Sequence, residues 1–209
     1  NSAGMQDGIV VKLNKAGAYL AHIVFSSDSV ESCQAIYFQS NNIYVTSGAT
    51  KAITLQSQIL VASVNINLFL AVFDTGLNTI SVYKTTSASP YGSCEGKEVY
   101  VDSAENIYLI GDASGFTTFK DSTYYVSGGY FIMKMDNANN CKWFIGHTYY
   151  DGSLILHDIK VDNNGNIGVL HQEGGGGGSA HMIYVTKYDS FGNVVYQNPS
   201  LINGAYIDY

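Results

Sequence analysis

Five histidines, three cysteines and seventeen acidic residues are the side chains of this 209-residue chain that could ligate a metal, attack a carbonyl or move a proton. Their spacing decides what they could do together. His22, His147, His157, His171 and His181 contain no H-x-x-x-H or H-E-x-x-H pair, the spacing that sets two imidazoles on one helix face at a zinc ion. Only His171 and His181 flank a common segment, Gly174 to Gly178, and could approach across its mouth. Two imidazoles without a third ligand hold a metal weakly, so the sequence predicts isolated histidines and no metal centre. His157 and Asp158 are adjacent on a strand-like stretch and therefore point to opposite faces. The acids are scattered singly among turns such as Asp162-Asn163-Asn164-Gly165-Asn166. Such oxygen-rich loops invite calcium, yet each carries one or two acids where a calcium loop needs several spaced oxygens. They are expected to be hairpin turns. No Gly-x-Ser-x-Gly elbow or catalytic Cys–His pattern is present, and the glycine run precedes a strand-like stretch where a phosphate loop needs a helix. No catalytic residue and no cofactor are expected.

Composition narrows the elements that must position these residues. At 46% hydrophobic, 13% charged and net −7, the chain can bury a core and is too apolar for disorder. All ten basic residues are lysine, so the arginine fork that grips phosphates and base edges is missing, and the acidic balance opposes nucleic acid. The longest apolar stretch, Ile59 to Phe73, is broken by Ser63, Asn65 and Asn67, and no membrane-spanning helix is expected. The first residues, Asn1-Ser2-Ala3, read as those of a processed chain or of a piece of a longer one. Seventeen tyrosines and twenty-two glycines beside two prolines suit strands joined by glycine turns.

Self-similarity organises the rest. Asn42-Ile43-Tyr44-Val45-Thr46-Ser47-Gly48, Asn106-Ile107-Tyr108-Leu109-Ile110-Gly111 and Asn166-Ile167-Gly168-Val169-Leu170 begin 64 and then 60 residues apart. A second element closes on Asn14, Asp74, Asp136 and Asp189, at intervals of 60, 62 and 53. Asp, Asn and Gly between β-rich runs make each junction a hairpin. Each unit is then a four-stranded antiparallel meander: A (Val99 to Asp102 in the clearest copy), B (Asn106 to Asp112), C (Tyr130 to Asp136) and D (Cys141 to His147). The fold class expected is all-β, a β-propeller of four-stranded blades with about 60 residues per repeat, and a solenoid of such sheets is its rival.

Ile159-Lys160-Val161-Asp162-Asn163-Asn164-Gly165-Asn166-Ile167 and Tyr130-Phe131-Ile132-Met133-Lys134-Met135-Asp136 resemble the bacterial seven-bladed β-propeller repeat group. Unit one departs from that pattern, with Phe38-Gln39-Ser40-Asn41 in place of the Asp-led turn, and Gly168 stands where a tyrosine is usual. The resemblance implies repeats of the kind found in large secreted or envelope proteins. The expected blades are 31–86, 87–149 and 150–198, flanked by partial blades 1–30 and 199–209. Opening C and D strands and a lone closing A strand (Ala205 to Asp208) suggest a fragment of a larger ring, with a four-bladed ring or an oligomer that completes the ring as alternatives.

In such a meander the B–C and D–A connections emerge on one face. The B–C connections, Ala49 to Asn67, Ala113 to Gly129 and Glu173 to His181, are long and are expected to be loops, which makes their face the candidate binding surface. Phe116, Phe119, Tyr124, Tyr125, His171 and His181 are its candidate residues, the aromatics able to stack on sugars or pack on a protein. Cys33 and Cys94 enter consecutive A strands and are the expected disulfide pair, if a bridge forms; Cys141 begins a D strand at the opposite face. The function expected is a non-catalytic extracellular or cell-surface module for assembly or adhesion through other protein chains or copies of itself. Glycan recognition is the alternative, and a propeller hydrolase or lyase a weaker one.

Overall fold

A computed structural model describes residues 7–27, 31–56, 58–60, 66–87, 92–148, 152–175 and 181–201. These residues are all-β, with every strand pairing antiparallel and no helix among them. Sheet 1 has the order β1 (Gly8–Leu13), β2 (Tyr19–Ser26), β5 (Ile53–Leu55), β6 (Gln58–Leu60). The next eight strands form one hydrogen-bonded sheet of two halves: sheet 2 is β3 (Glu31–Gln39), β4 (Asn42–Ala49), β7 (Asn67–Asp74) and β8 (Thr79–Ser87), and sheet 3 is β9 (Ser93–Val101), β10 (Ile107–Phe119), β11 (Ser122–Met135) and β12 (Cys141–Thr148), the halves being joined through β8 and β10. Sheet 4 is β13 (Gly152–Val161), β14 (Ile167–Gly175), β15 (His181–Tyr188) and β16 (Val194–Leu201). Sheets 2, 3 and 4 each hold four antiparallel strands. No sheet closes on itself among the described residues, and the expected closing strand, Ala205 to Asp208, lies outside them.

The turn chemistry explains why the meanders form. In five loops an aspartate accepts the backbone N–H four residues on with one oxygen and the Asn side-chain amide at that position with the other: Asp74–Asn78, Asp102–Asn106, Asp136–Asn140, Asp162–Asn166 and Asp189–Asn193. The residue before each Asn has positive φ, namely Leu77, Glu105, Asn139, Gly165 and Gly192. This is the three-residue hairpin loop in which a type I turn is followed by a left-handed residue. The departing turn in unit one is instead a two-residue hairpin, with Ser40 and Asn41 both left-handed.

Strand alternation then lays the core between sheets. In β7, Leu68, Leu70 and Val72 face sheet 3, while Phe69, Ala71 and Phe73 face sheet 1, and all six are buried. In β10 and β11, Leu109, Phe131 and Met133 pack toward sheet 2, and Tyr108, Ile110, Tyr130 and Ile132 toward sheet 4. A strand buried on both faces reads as a continuous apolar run, here Leu68 to Phe73. Each large side chain so buried contributes about 1.5–3 kcal/mol. Three apolar layers thus separate four stacked sheets.

Among the described residues, the first two long B–C connections contain paired strands, which corrects their reading as loops. Within the first, β5 and β6 leave their own unit and add to β2, with Phe25 opposite Leu55. In the second, β10 and β11 run on as one hairpin to Phe119 and Ser122, and Thr117 to Phe119 pair with Thr85 to Ser87 of β8. Both hairpins therefore clasp the last strand of the preceding sheet, satisfying an edge that would otherwise expose its ladder. The third connection includes residues 176–180, which lie outside those described.

The expected disulfide also fails. All three thiols are free, because Cys33 packs in the layer between sheets 1 and 2 and Cys94 in the layer between sheets 2 and 3. By the strand register Cys33 corresponds to Gly96, not to Cys94, and even equivalent positions lie about one sheet spacing, ~10 Å, apart, beyond the ~7 Å Cα limit of a bridge. Burial pushes the Cys33 thiol up to about 11 and that of Cys94 to about 12, so neither is a reactive thiolate at neutral pH.

Candidate functional site

The first two strands of each meander pair with one residue left over. The register steps from Cys33↔Ser47 to Ala35↔Thr46 in sheet 2, from Gly96↔Gly111 to Glu98↔Ile110 in sheet 3, and from Leu156↔His171 to Asp158↔Leu170 in sheet 4. The unpaired residues are Gln34, Lys97 and His157, spaced 63 and 60 apart, the repeat period itself. A β-bulge re-aims a side chain out of the pleat. All three bulged residues line one cleft of about 520 Å³, together with Glu98, Asp112 and Asp158. Gly111 explains its own place in the motif: a Cβ there would stand 1.9 Å from the Glu95 carbonyl oxygen, which the bulge pushes toward it.

Glu95 ties the bulges together. Gln34 Nε2 donates to its Oε1 at 2.7 Å, Ser32 Oγ at 3.1 Å, and Lys97 Nζ pairs with Oε2 at 2.8 Å while reaching Asp112 at 3.8 Å. Burial alone would raise the Glu95 carboxyl, but Lys97, Gln34 and Ser32 hold it below the ordinary carboxylate range. Glu98 and Asp112 stand above that range, chiefly through desolvation at the cleft wall. His157 Nε2 lies 3.2 Å from Gln172 Oε1, and Lys160 hydrogen-bonds Asp158 at 2.8 Å, lowering that acid. An amide, an ammonium, an imidazole and several carboxyls thus converge on one concave surface, able to hydrogen-bond a polyhydroxylated or cationic ligand.

The residues expected at the binding face divide. Phe116 and Tyr125 are opposite one another on the outer side of the β10–β11 hairpin, 49% and 58% exposed, with ring centroids 4.8 Å apart. Phe119 and Tyr124 are on the other side. Phe119 is buried in the layer between sheets 2 and 3, and Tyr124 stacks on Phe144 at 4.2 Å. His171 is fully buried beneath sheet 3, and its ring meets Tyr130 and Tyr184. His181 stands opposite Gly174 in the β14–β15 ladder, and its side chain lies outside those described. Gln34, Lys97, Glu98 and Asp112 went unnoticed in the sequence, although the repeat period alone relates the first two to His157. No protein-family model matches the chain, and no curated protein is significantly similar to it.

Proposed function

We propose that the chain is a non-catalytic assembly module, a propeller-like stack whose two outermost sheet faces receive further sheets of the same kind, with a second copy of the chain as the partner. One observation carries this reading. Aligned on Asn14 and Asp74, the residues Ile9, Val11 and Leu13 of β1 correspond to Phe69, Ala71 and Phe73 of β7, which are fully buried against the preceding sheet. In β1 they are 54%, 47% and 53% exposed. At the other end, Ile183, Val185 and Lys187 of β15 correspond to Leu68, Leu70 and Val72, which are buried against the following sheet; Val185 is 47% exposed. The two open faces are therefore the two halves of the interface that the molecule repeats inside itself. Their association is head-to-tail, the heterologous type that gives rings or filaments. The low charge of the sheets suits such stacking, since few charges need desolvation, and an extracellular or cell-surface setting is part of the same proposal.

Sedimentation across a concentration series tests it, with Val11→Lys and Val185→Lys each blocking one face. Head-to-tail stacking predicts that either variant alone stays monomeric while their equimolar mixture forms a dimer and nothing larger. A wild-type chain that remains monomeric at the highest concentration overturns the proposal. A second reading, recognition of a glycan, is favoured by the three bulges that open on one polar cleft. It requires that a glycan bound by the wild type lose affinity in Lys97→Ala; loss in Phe116→Ala and Tyr125→Ala instead would move the site to the hairpin.

A further inference from the structure

His171 has no relative exposure; its Nδ1 has no hydrogen-bond partner, and its Nε2 meets only the Glu173 carboxylate, at a loose 3.3 Å. A buried imidazole so weakly satisfied is unfavourable. Glu173, two residues along β14 and so on the same face, brings Oε1 to 3.3 Å from His171 Nε2. The same oxygen lies 2.8 Å from Nε2 of His147, which comes from β12 in the neighbouring sheet. One ligand atom from each of the three residues falls within 4.8 Å of the others. The rings are held in place: His147 stacks on Tyr130 at 4.8 Å and 10°, His171 stacks on Tyr184 at 5.2 Å and 7°, and the two imidazoles are 5.1 Å apart.

We propose that His147, His171 and Glu173 form a binding site for a divalent first-row transition ion, zinc being the probe, that pins β12 of sheet 3 to β14 of sheet 4. Ligand atoms about 2.0–2.1 Å from a tetrahedral zinc are about 3.3 Å from one another; the Glu173 oxygen stands 2.8 and 3.3 Å from the two imidazole nitrogens, and the set, spanning up to 4.8 Å, closes on the ion by a small side-chain adjustment. Two imidazoles and one carboxylate suit zinc and its neighbours, whereas calcium and magnesium take all-oxygen shells. Three protein ligands leave a fourth position for water, and His147 and Glu173 are partly exposed, which gives the ion a way in. The site is internal to one chain and stands whether or not copies assemble.

The test is zinc titration of chelator-treated protein by calorimetry, with thermal midpoints and circular dichroism alongside. One zinc per chain and a raised midpoint are expected, with no response to magnesium. His147→Ala and Glu173→Gln, at partly exposed positions, should fold and bind zinc at least tenfold more weakly, whereas His22→Ala should bind as the wild type does. His171→Phe keeps a buried ring but removes the nitrogens; it should fold without metal and lose the zinc-induced rise. Cobalt in place of zinc should give the visible bands of a four-coordinate ion in the wild type and not in Glu173→Gln. Absence of stoichiometric zinc binding overturns the proposal, as does binding undiminished in both His147→Ala and Glu173→Gln.

Discussion

Single backbone positions carry much of the repeat. Gly111 closes the bulge that presents Lys97, and a methyl group there would meet the Glu95 carbonyl oxygen at 1.9 Å. Backbone cannot move aside as a flexible side chain can, so Gly111→Ala should cost about 2–3 kcal/mol in urea unfolding and disorganise the cleft. Glu105 is the opposite case. It holds the left-handed position, φ 62°, that Gly165 and Gly192 fill in sister loops, and an L side chain there is strained by about 1–2 kcal/mol. Glu105→Gly should therefore stabilise the protein, by about 0.5–1 kcal/mol once the added freedom of the unfolded chain is subtracted. A loss of stability would show that the Glu105 side chain has a role its loop position does not reveal.

The Asp-to-Asn loops link one element to the next, and their carboxylates make stability depend on pH. Hydrogen bonds from the Asn side chains hold Asp74, Asp162 and Asp189 below the usual carboxylate range, and at Asp136 Lys142 contributes most. An acid lowered in the fold stabilises above its unfolded value near 4 and loses that contribution as pH falls through the folded value. Glu98 and Asp112, raised in the fold, act in the opposite sense, so the loops are isolated by difference. Asp162→Asn should narrow the gap in urea midpoint between pH 6 and pH 3 relative to wild type; an unchanged gap would mean that the loop bonds contribute nothing to folding. These loops were legible because Asp, Asn and Gly recur at fixed offsets. The clasping hairpins were not, since Ile53 to Leu60 read as part of a connection and gain their pairing only from β2, a strand of another unit. The bulges at Gln34, Lys97 and His157 leave no composition signal, only the shared period. The cluster of His147, His171 and Glu173 escaped because ligands on strands are spaced by two within a strand and join across sheets, and neither spacing resembles a helical metal motif.

At the scale of the whole molecule the four sheets follow one another in chain order, and each apolar layer belongs to two of them. Sheets 2 and 3 are covered on both faces, as Leu68 to Phe73 and Tyr130 to Met133 show, while sheets 1 and 4 each keep an open face bearing Val11 or Val185. Stability in such an array approximates a sum over units and nearest-neighbour interfaces, so an end sheet has one interface to lose where an inner sheet has two. Opening should then begin at the ends. Native-state hydrogen exchange tests this directly: amides of β7, β10 and β11 should exchange only through global unfolding, while those of β1 and β16 exchange through smaller openings. Under the proposed head-to-tail assembly the two ends should gain protection together as concentration rises, and Val11→Lys should abolish the gain at both ends of a pure sample. Protection uniform along the stack would show that the four sheets unfold as a single unit, and protection at one end alone would replace head-to-tail stacking with a symmetric pairing of like faces.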